Sequence, residues 1–250
     1  MKTNLSKIAL IVCLSVSLVL SACGAGASAA TPTPAGTSTP PPTNTPTPIP
    51  TATSTPTRTP RPTITPNLAA TQQYEGFLAW VEKLEADGVI PSVVGNYHPK
   101  EDYSKAFAKS AYYTWMTYFD LQVSNFIIQA KVTLANETVE NAFKSGCGFV
   151  FSSHAIFFSL DGNVNFRTDG YDRGSNYIDA TIYEQNPDGV TLTLVLSNKA
   201  LSFYVNDRLA LKGITVYDES FLIGPAVLSS TSEGFGTRCD FTQIAIWDMD

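Results

Sequence analysis

Residues 190–207 read VTLTLVLSNKALSFYVND, and their spacing decides the fold. Leu192, Leu194 and Leu196 fall at every second position, and Leu201, Phe203 and Val205 do so again after a break at Asn198. A period of two marks a strand with one buried face, because successive β side chains point to opposite sides. Asn198, and then Asn206 with Asp207, are turn residues that tolerate the left-handed backbone of a tight hairpin. The stretch therefore predicts paired strands with the leucines and Phe203 inward. Tyr204 lies on the opposite side.

The same pattern extends both ways. Downstream, strands are centred on Leu222–Val227 and on Phe241–Trp247, where Phe241, Ile244 and Ile246 are apolar and Cys239 stands just before. Upstream, past an Asn186-Pro187-Asp188-Gly189 turn, Tyr177, Asp179, Thr181 and Tyr183 alternate with Ile178, Ala180 and Ile182, predicting a strand with its isoleucines inward. Asp161-Gly162 predicts a type I′ hairpin turn between apolar runs at Ile156–Leu160 and from Val164. Gly148–Ser152 is another apolar run, and Phe126, Ile128, Ala130, Val132 and Leu134 form a long inward row. Tyr113, Trp115 and Thr117 alternate with Thr114, Met116 and Tyr118. Many short strands with turns every 8 to 12 residues or so, uninterrupted by a helical pattern, argue for an all-β antiparallel sandwich or barrel over residues 112–250.

Before this region, residues 89–111 hold Pro91, Gly95 and Pro99 and read as a connecting segment. Residues 67–88 predict one amphipathic helix. Asn67 can cap it, Tyr74, Phe77, Val81 and Leu84 recur at helical spacing with Trp80 and Leu78 beside them, and Asp87-Gly88 ends it. Its apolar side can pack on the sandwich or join copies of the chain. Residues 31–66 are almost wholly Thr and Pro and hold 12 of the 16 prolines, which deny the backbone helix and sheet alike. This predicts a disordered, semi-rigid stalk reaching on the order of 110 Å when extended, at ~3.1 Å per residue. Its composition also suits O-glycosylation.

Lys2 and Lys7 precede an uncharged apolar run from Ile8 to Leu20, 13 residues long. That is the length of a signal-peptide core and is short of the ~20 residues of a spanning helix; the alternative is an uncleaved anchor. Leu20, Ser21, Ala22 and Cys23 resemble the lipobox of bacterial lipoproteins, in which a peptidase cuts before the cysteine and lipid is attached to its thiol. The resemblance implies a signal peptide over residues 1–22, a lipidated N-terminus and linker over 23–66, membrane attachment through Cys23, and an extracytoplasmic location in the cell envelope.

The run Leu201–Asp207, with Phe221–Val227 and the closing Phe241–Trp247, resembles the concanavalin A-like, laminin G-type jelly roll over roughly residues 112–250. It is also similar to the domain of unknown function associated with 3-keto-disaccharide hydrolases. Asp207 stands where that pattern usually has Gly, which a type I′ turn tolerates. The resemblance implies a jelly-roll β-sandwich, and it says more of topology than of activity.

Beyond residue 66 lie 12 of the 16 basic residues and all 22 acidic ones, a net of −10. Such a head repels phosphate backbones, so nucleic acid is not an expected partner. Of the four cysteines, Cys13 falls in the leader and Cys23 at the lipid site. In an oxidising compartment Cys147 and Cys239 are expected to pair, the alternative being two buried thiols. With only His98 and His154 in the chain and no zinc-ligand spacing, no metal site is expected and no cofactor is implied. Laminin G-type domains sometimes hold calcium at a loop edge, which would direct attention to Asp169-Gly170-Tyr171-Asp172, but that loop lacks the EF-hand spacing.

A glycosidase needs two carboxylates facing each other across a cleft. The adjacent pairs Glu101-Asp102 and Asp218-Glu219 read instead as surface charge, and no nucleophile elbow, zincin helix or nucleotide loop is present. Enzymatic activity is therefore the less favoured reading, with hydrolysis of the 3-keto-disaccharide kind as the alternative the resemblance implies. A further alternative is a purely structural envelope protein. The favoured expectation is a binding face for glycan or protein made by Tyr177, Tyr183 and Tyr204 on one exposed sheet surface, since tyrosines bury much area at small entropic cost.

Overall fold

The computed structural model describes residues 67–137 and 144–250. The expected leader, Cys23 and the Thr/Pro stretch lie outside the described residues.

Helix α1 (Leu68–Ala86) comes first, then the short strands β1 (Asn96–Pro99), β2 (Tyr103–Phe107), β3 (Tyr113–Met116) and β4 (Gln122–Val123). The long β5 (Phe126–Asn136) leads to β6 (Gly146–Phe151), β7 (His154–Ser159), β8 (Asn163–Thr168) and β9 (Tyr171–Tyr177). A four-residue helix α2 (Ile182–Gln185) precedes β10 (Val190–Ser197), β11 (Ala200–Val205), β12 (Arg208–Thr215), β13 (Phe221–Ser229) and β14 (Thr237–Asp248).

These strands form two antiparallel sheets. The front sheet runs β1-β14-β5-β10-β11-β12 with β2 also on β14, and the back sheet runs β3-β13-β6-β7-β8-β9 with β4 also on β13. Successive hairpins β6 to β9 and β10 to β12 stay within one sheet. The chain then crosses to place β13 beside β6 and crosses back to place β14 beside β5. The result is an antiparallel jelly-roll β-sandwich preceded by one helix.

The period-two rows meet in the core as expected. Phe126, Ile128, Ala130, Val132, Leu192, Leu194, Leu196, Leu201, Phe203 and Val205 are buried between the sheets, facing Phe149, Phe151, Ile156 and Phe158 of the back sheet. Asn198 and Lys199 (φ 51° and 65°) and Asn206 and Asp207 (φ 47° and 63°) form the tight turns read from their composition. At Asp161-Gly162 only Gly162 has positive φ (77°), and its N–H donates to Ser159 O. This turn is therefore not type I′.

Cys147 on β6 and Cys239 on β14 form a disulfide (Cα–Cα 5.8 Å) that ties the back sheet to the front sheet through the core. Helix α1 packs on the sandwich rather than standing free. Its buried Phe77, Trp80, Val81 and Leu84 cover Ile127, Val195, Tyr204, Ala245 and Trp247 on the outer side of the front sheet. Strands such as Phe126-Ile127-Ile128 are apolar on both faces, so one face meets the core and the other needs this helix. Asn67 caps α1, its Oδ1 accepting from Ala70 N (3.2 Å). Lys83 and Asp87 pair near the other end, and Gly88 follows with φ 70°.

Two stretches differ from their sequence reading. Residues 89–111 are not a mere connection, because β1 and β2 both pair with the 12-residue β14 and cover the edge that β5 leaves open. Strands of four and five residues interrupted by Pro99 carry too little alternation to be read. The strand expected over Tyr177–Tyr183 stops at Tyr177. There the Asp179 carboxylate accepts from Thr181 N (2.8 Å) and Thr181 Oγ1 (2.7 Å), a local turn that outcompetes the strand.

Candidate functional site

The tyrosine face does not exist, because the three rings lie in three different settings. Tyr204 points away from the core as expected, but α1 covers it. It is 6% exposed, with the Trp80 ring edge-on at 5.4 Å. Burial, and secondarily Asp87, pushes its phenol above the ordinary range. Tyr183 sits on α2 and packs inward, stacked on Phe158 at 5.1 Å with its OH donating to Phe158 O (3.1 Å). Burial raises its phenol far above the usual value. Tyr177 alone is exposed, at 62%, on the edge strand β9. The alternation used to group these residues breaks at the Asp179 turn, and nothing in the strand pattern reports the helix above Tyr204.

The outer face of the back sheet is closed as well. Arg167 on β8 donates to Tyr112 O (2.7 Å) and Thr114 Oγ1 (3.1 Å) at β3, four strands away. In a flat sheet those strands would lie ~19 Å apart at ~4.8 Å per strand, so the sheet curls until one arginine bridges it. Val150, Phe157 and Leu228 are buried on this face. Arg167 Nε also lies 3.0 Å from Asp172 Oδ1, which engages one carboxylate of the 169–172 loop. Among the described residues no cluster of three or more His, Cys, Asp or Glu side chains could hold a metal ion.

An open cleft remains where the edge strands β9 and β12 face each other. It has a volume of about 540 Å³. Three connections meet there: the β6–β7 turn at Ser153, the β8–β9 turn at Asp169, and the segment Val216–Asp218 that leaves β12. At its base His154 is held on every side. Nδ1 is 3.0 Å from Thr168 Oγ1, Nε2 is 2.9 Å from Asp218 Oδ2, and the ring lies near-parallel to Phe166 at 5.8 Å. The histidine side chain is 11% exposed, whereas that of Asp218 is 48% exposed. Asp169, Arg173 and Tyr217 complete the rim, and Tyr217 is 80% exposed.

This arrangement presents carboxylate acceptors, a guanidinium donor and a free aromatic ring around one concavity. Such a set suits a polyhydroxylated ligand, whose hydroxyls both donate and accept while an apolar ring face lies on the aromatic. Of the acidic residues singled out in the sequence, Asp169 and Asp218 meet here. Glu219 instead lines a neighbouring hollow of about 300 Å³ with Ser124, Asn125 and Lys199. Asp102 stands elsewhere, accepting from Gln243 N (3.1 Å). The sequence reading missed His154, Arg173 and Tyr217. The scarcity of histidine was the one available signal, since the three residues are brought together only by strand pairing.

Fold and cleft together define a β-sandwich with a polar edge site. No protein-family model matches the chain, and no curated protein matches it. Among solved structures it resembles the carbohydrate-binding module CBM66 from Bacillus subtilis, at 10% identity over 62% of this chain and 96% of that one, with a TM-score of 0.40. It also resembles the carbohydrate recognition domain of Emp46p in its metal-free form (12% identity, 62% and 87% coverage, TM-score 0.43). A third is the β-glucanase of Bacillus licheniformis (11% identity, 52% and 68% coverage, TM-score 0.39). At such identities and scores no residue role passes from them to this chain.

Proposed function

We propose that this chain is a lipid-anchored extracytoplasmic protein whose β-sandwich head binds glycan in the edge cleft. The observation that carries the binding reading is the convergence of Asp169, Arg173, Tyr217 and the His154–Asp218 pair on one cleft. The anchoring reading rests on Cys23 after an apolar leader and on the Thr/Pro stretch that would hold the head away from a membrane. No helix among the described residues is long and apolar enough to cross a membrane. One acyl chain binds membranes only marginally, so firm retention requires more than one chain on Cys23.

The test is a glycan array probed with the detergent-solubilised full chain beside Tyr217→Ala and Asp218→Asn. Binding to at least one glycan, weakened about tenfold or more by each change, supports the reading. A silent array refutes it. Replacing Cys23 with Ser should release the protein from membranes, and full retention would move the anchor to the apolar leader.

A hydrolase is the second reading, favoured by one feature. His154 bonded to Asp218 beside Asp169 supplies the parts of a general acid or base at a cleft. Release of reducing sugar from a bound glycan, abolished by Asp218→Asn with binding retained, would establish it.

A further inference from the structure

The outer side of the front sheet changes character along its strands. Under the middle and end of α1 it is apolar, at Ile127, Val195 and Trp247. Two positions along β5 and β10 it becomes polar, where Gln129 Nε2 donates to Thr193 Oγ1 (2.9 Å). Here the first turns of α1, ahead of the buried Phe77, leave a groove of about 610 Å³ between helix and sheet. Among the described residues its polar lining is almost wholly carboxamide: Asn67 at the cap of α1, Gln72 and Gln73 from α1, Gln129 from β5 and Gln243 from β14, with Asp102 as the single charged group.

Gln243 is built into this place at a cost. It has φ 53°, a left-handed conformation that side chains other than glycine seldom adopt. It lies where the β14–β5 register shifts between Thr242 and Ala245, a bulge of the kind that re-aims a side chain. Its backbone N–H is anchored by Asp102 Oδ1 (3.1 Å), from the β1–β2 connection. Strained residues of this kind persist only where their surroundings hold them, and they cluster at binding sites. The hydrogen bond to Thr193 orients the Gln129 amide, leaving its oxygen for a ligand.

We propose that this groove is a second glycan-binding site, taking a neutral oligosaccharide through Gln73, Gln129, Gln243 and Asp102. Each carboxamide offers a donor and an acceptor together, matching hydroxyls that do both. The lone carboxylate disfavours phosphate and other anions. Ala70, Gly76 and Ala245 add small residues to its wall, and Phe77 closes its inner end. The groove shares no lining residue with the edge cleft.

The test titrates the full chain in detergent with laminarihexaose, cellohexaose and chitohexaose, in wild type, Gln243→Gly, Gln129→Ala and the edge-cleft variant Tyr217→Ala. Binding of at least one hexasaccharide that weakens tenfold or more in Gln243→Gly and Gln129→Ala but persists in Tyr217→Ala is expected. Glycine fits the left-handed backbone, so the melting temperature of Gln243→Gly should equal or exceed wild type. A lowered melting temperature with binding intact would make the bulge purely structural and overturn the proposal. Failure of all three sugars to bind, or binding lost only in Tyr217→Ala, would also overturn it. The first result leaves the edge-cleft reading to be judged by the array, and the second supports it.

Discussion

Replacing Cys147 and Cys239 together with alanine should make this sandwich marginal. The bond joins residues 92 positions apart. In the chain-entropy treatment the lost constraint is ~2.1 cal/mol/K plus 1.5R ln n, or about 4.6 kcal/mol at 25 °C. Both sulfurs are fully buried, and their removal adds a packing loss of roughly 1 kcal/mol. The sum, roughly 5 to 6 kcal/mol, is of the order of a whole domain's stability. Urea unfolding followed by tryptophan fluorescence would measure it, since Trp80, Trp115 and Trp247 lie on α1, β3 and β14. Because the crosslink acts on the unfolded chain, the variant's denaturant slope should rise as its unfolded state expands. A loss below about 1 kcal/mol, or a slope that falls, would refute this reasoning.

Asp207→Gly should stabilise the β11–β12 turn by about 0.5–1 kcal/mol, because Asp207 holds φ 63° and glycine meets no steric penalty there; a lowered melting temperature would contradict the turn assignment. Tyr183 should contribute to alkaline unfolding. Its folded pKa is raised by burial, so its stabilising effect is complete below the unfolded value near 10 and declines as pH climbs above it, while the unfolded phenol ionises. Tyr183→Phe should lose about 1 kcal/mol at neutral pH with the Phe158 hydrogen bond and flatten the decline above pH ~10; an unchanged alkaline profile would exclude Tyr183 as its source.

The hairpin at 190–207 was legible because its leucines sit at period two and its ends carry Asn and Asp, which accept positive φ. The cysteine pair was legible from the count left once Cys13 and Cys23 are set aside. The edge strands β1 and β2 were not, since four or five residues give no usable alternation and their place is set by the free edge of β14. Nor was the fate of the tyrosines. Alternation assigns a side chain to one side of a strand, and it is silent on whether that side meets water, as for Tyr177, or a helix, as for Tyr204.

By itself, then, the sequence determined the class of most described segments, one capped helix and a succession of half-buried strands, and it marked an apolar run and a proline-barred stretch ahead of them. Those properties are local, set by φ preferences, periodicity and turn chemistry within a few residues. Tertiary structure alone decided which strands are neighbours, and hence that Ser153, Thr168 and Asp218 border the same cleft, or that Gln129, Asp102 and Gln243 share a groove. Such groupings join residues up to 141 positions apart, as Asp102 and Gln243 are. Only the pairing of β strands and the docking of α1 bring them within reach.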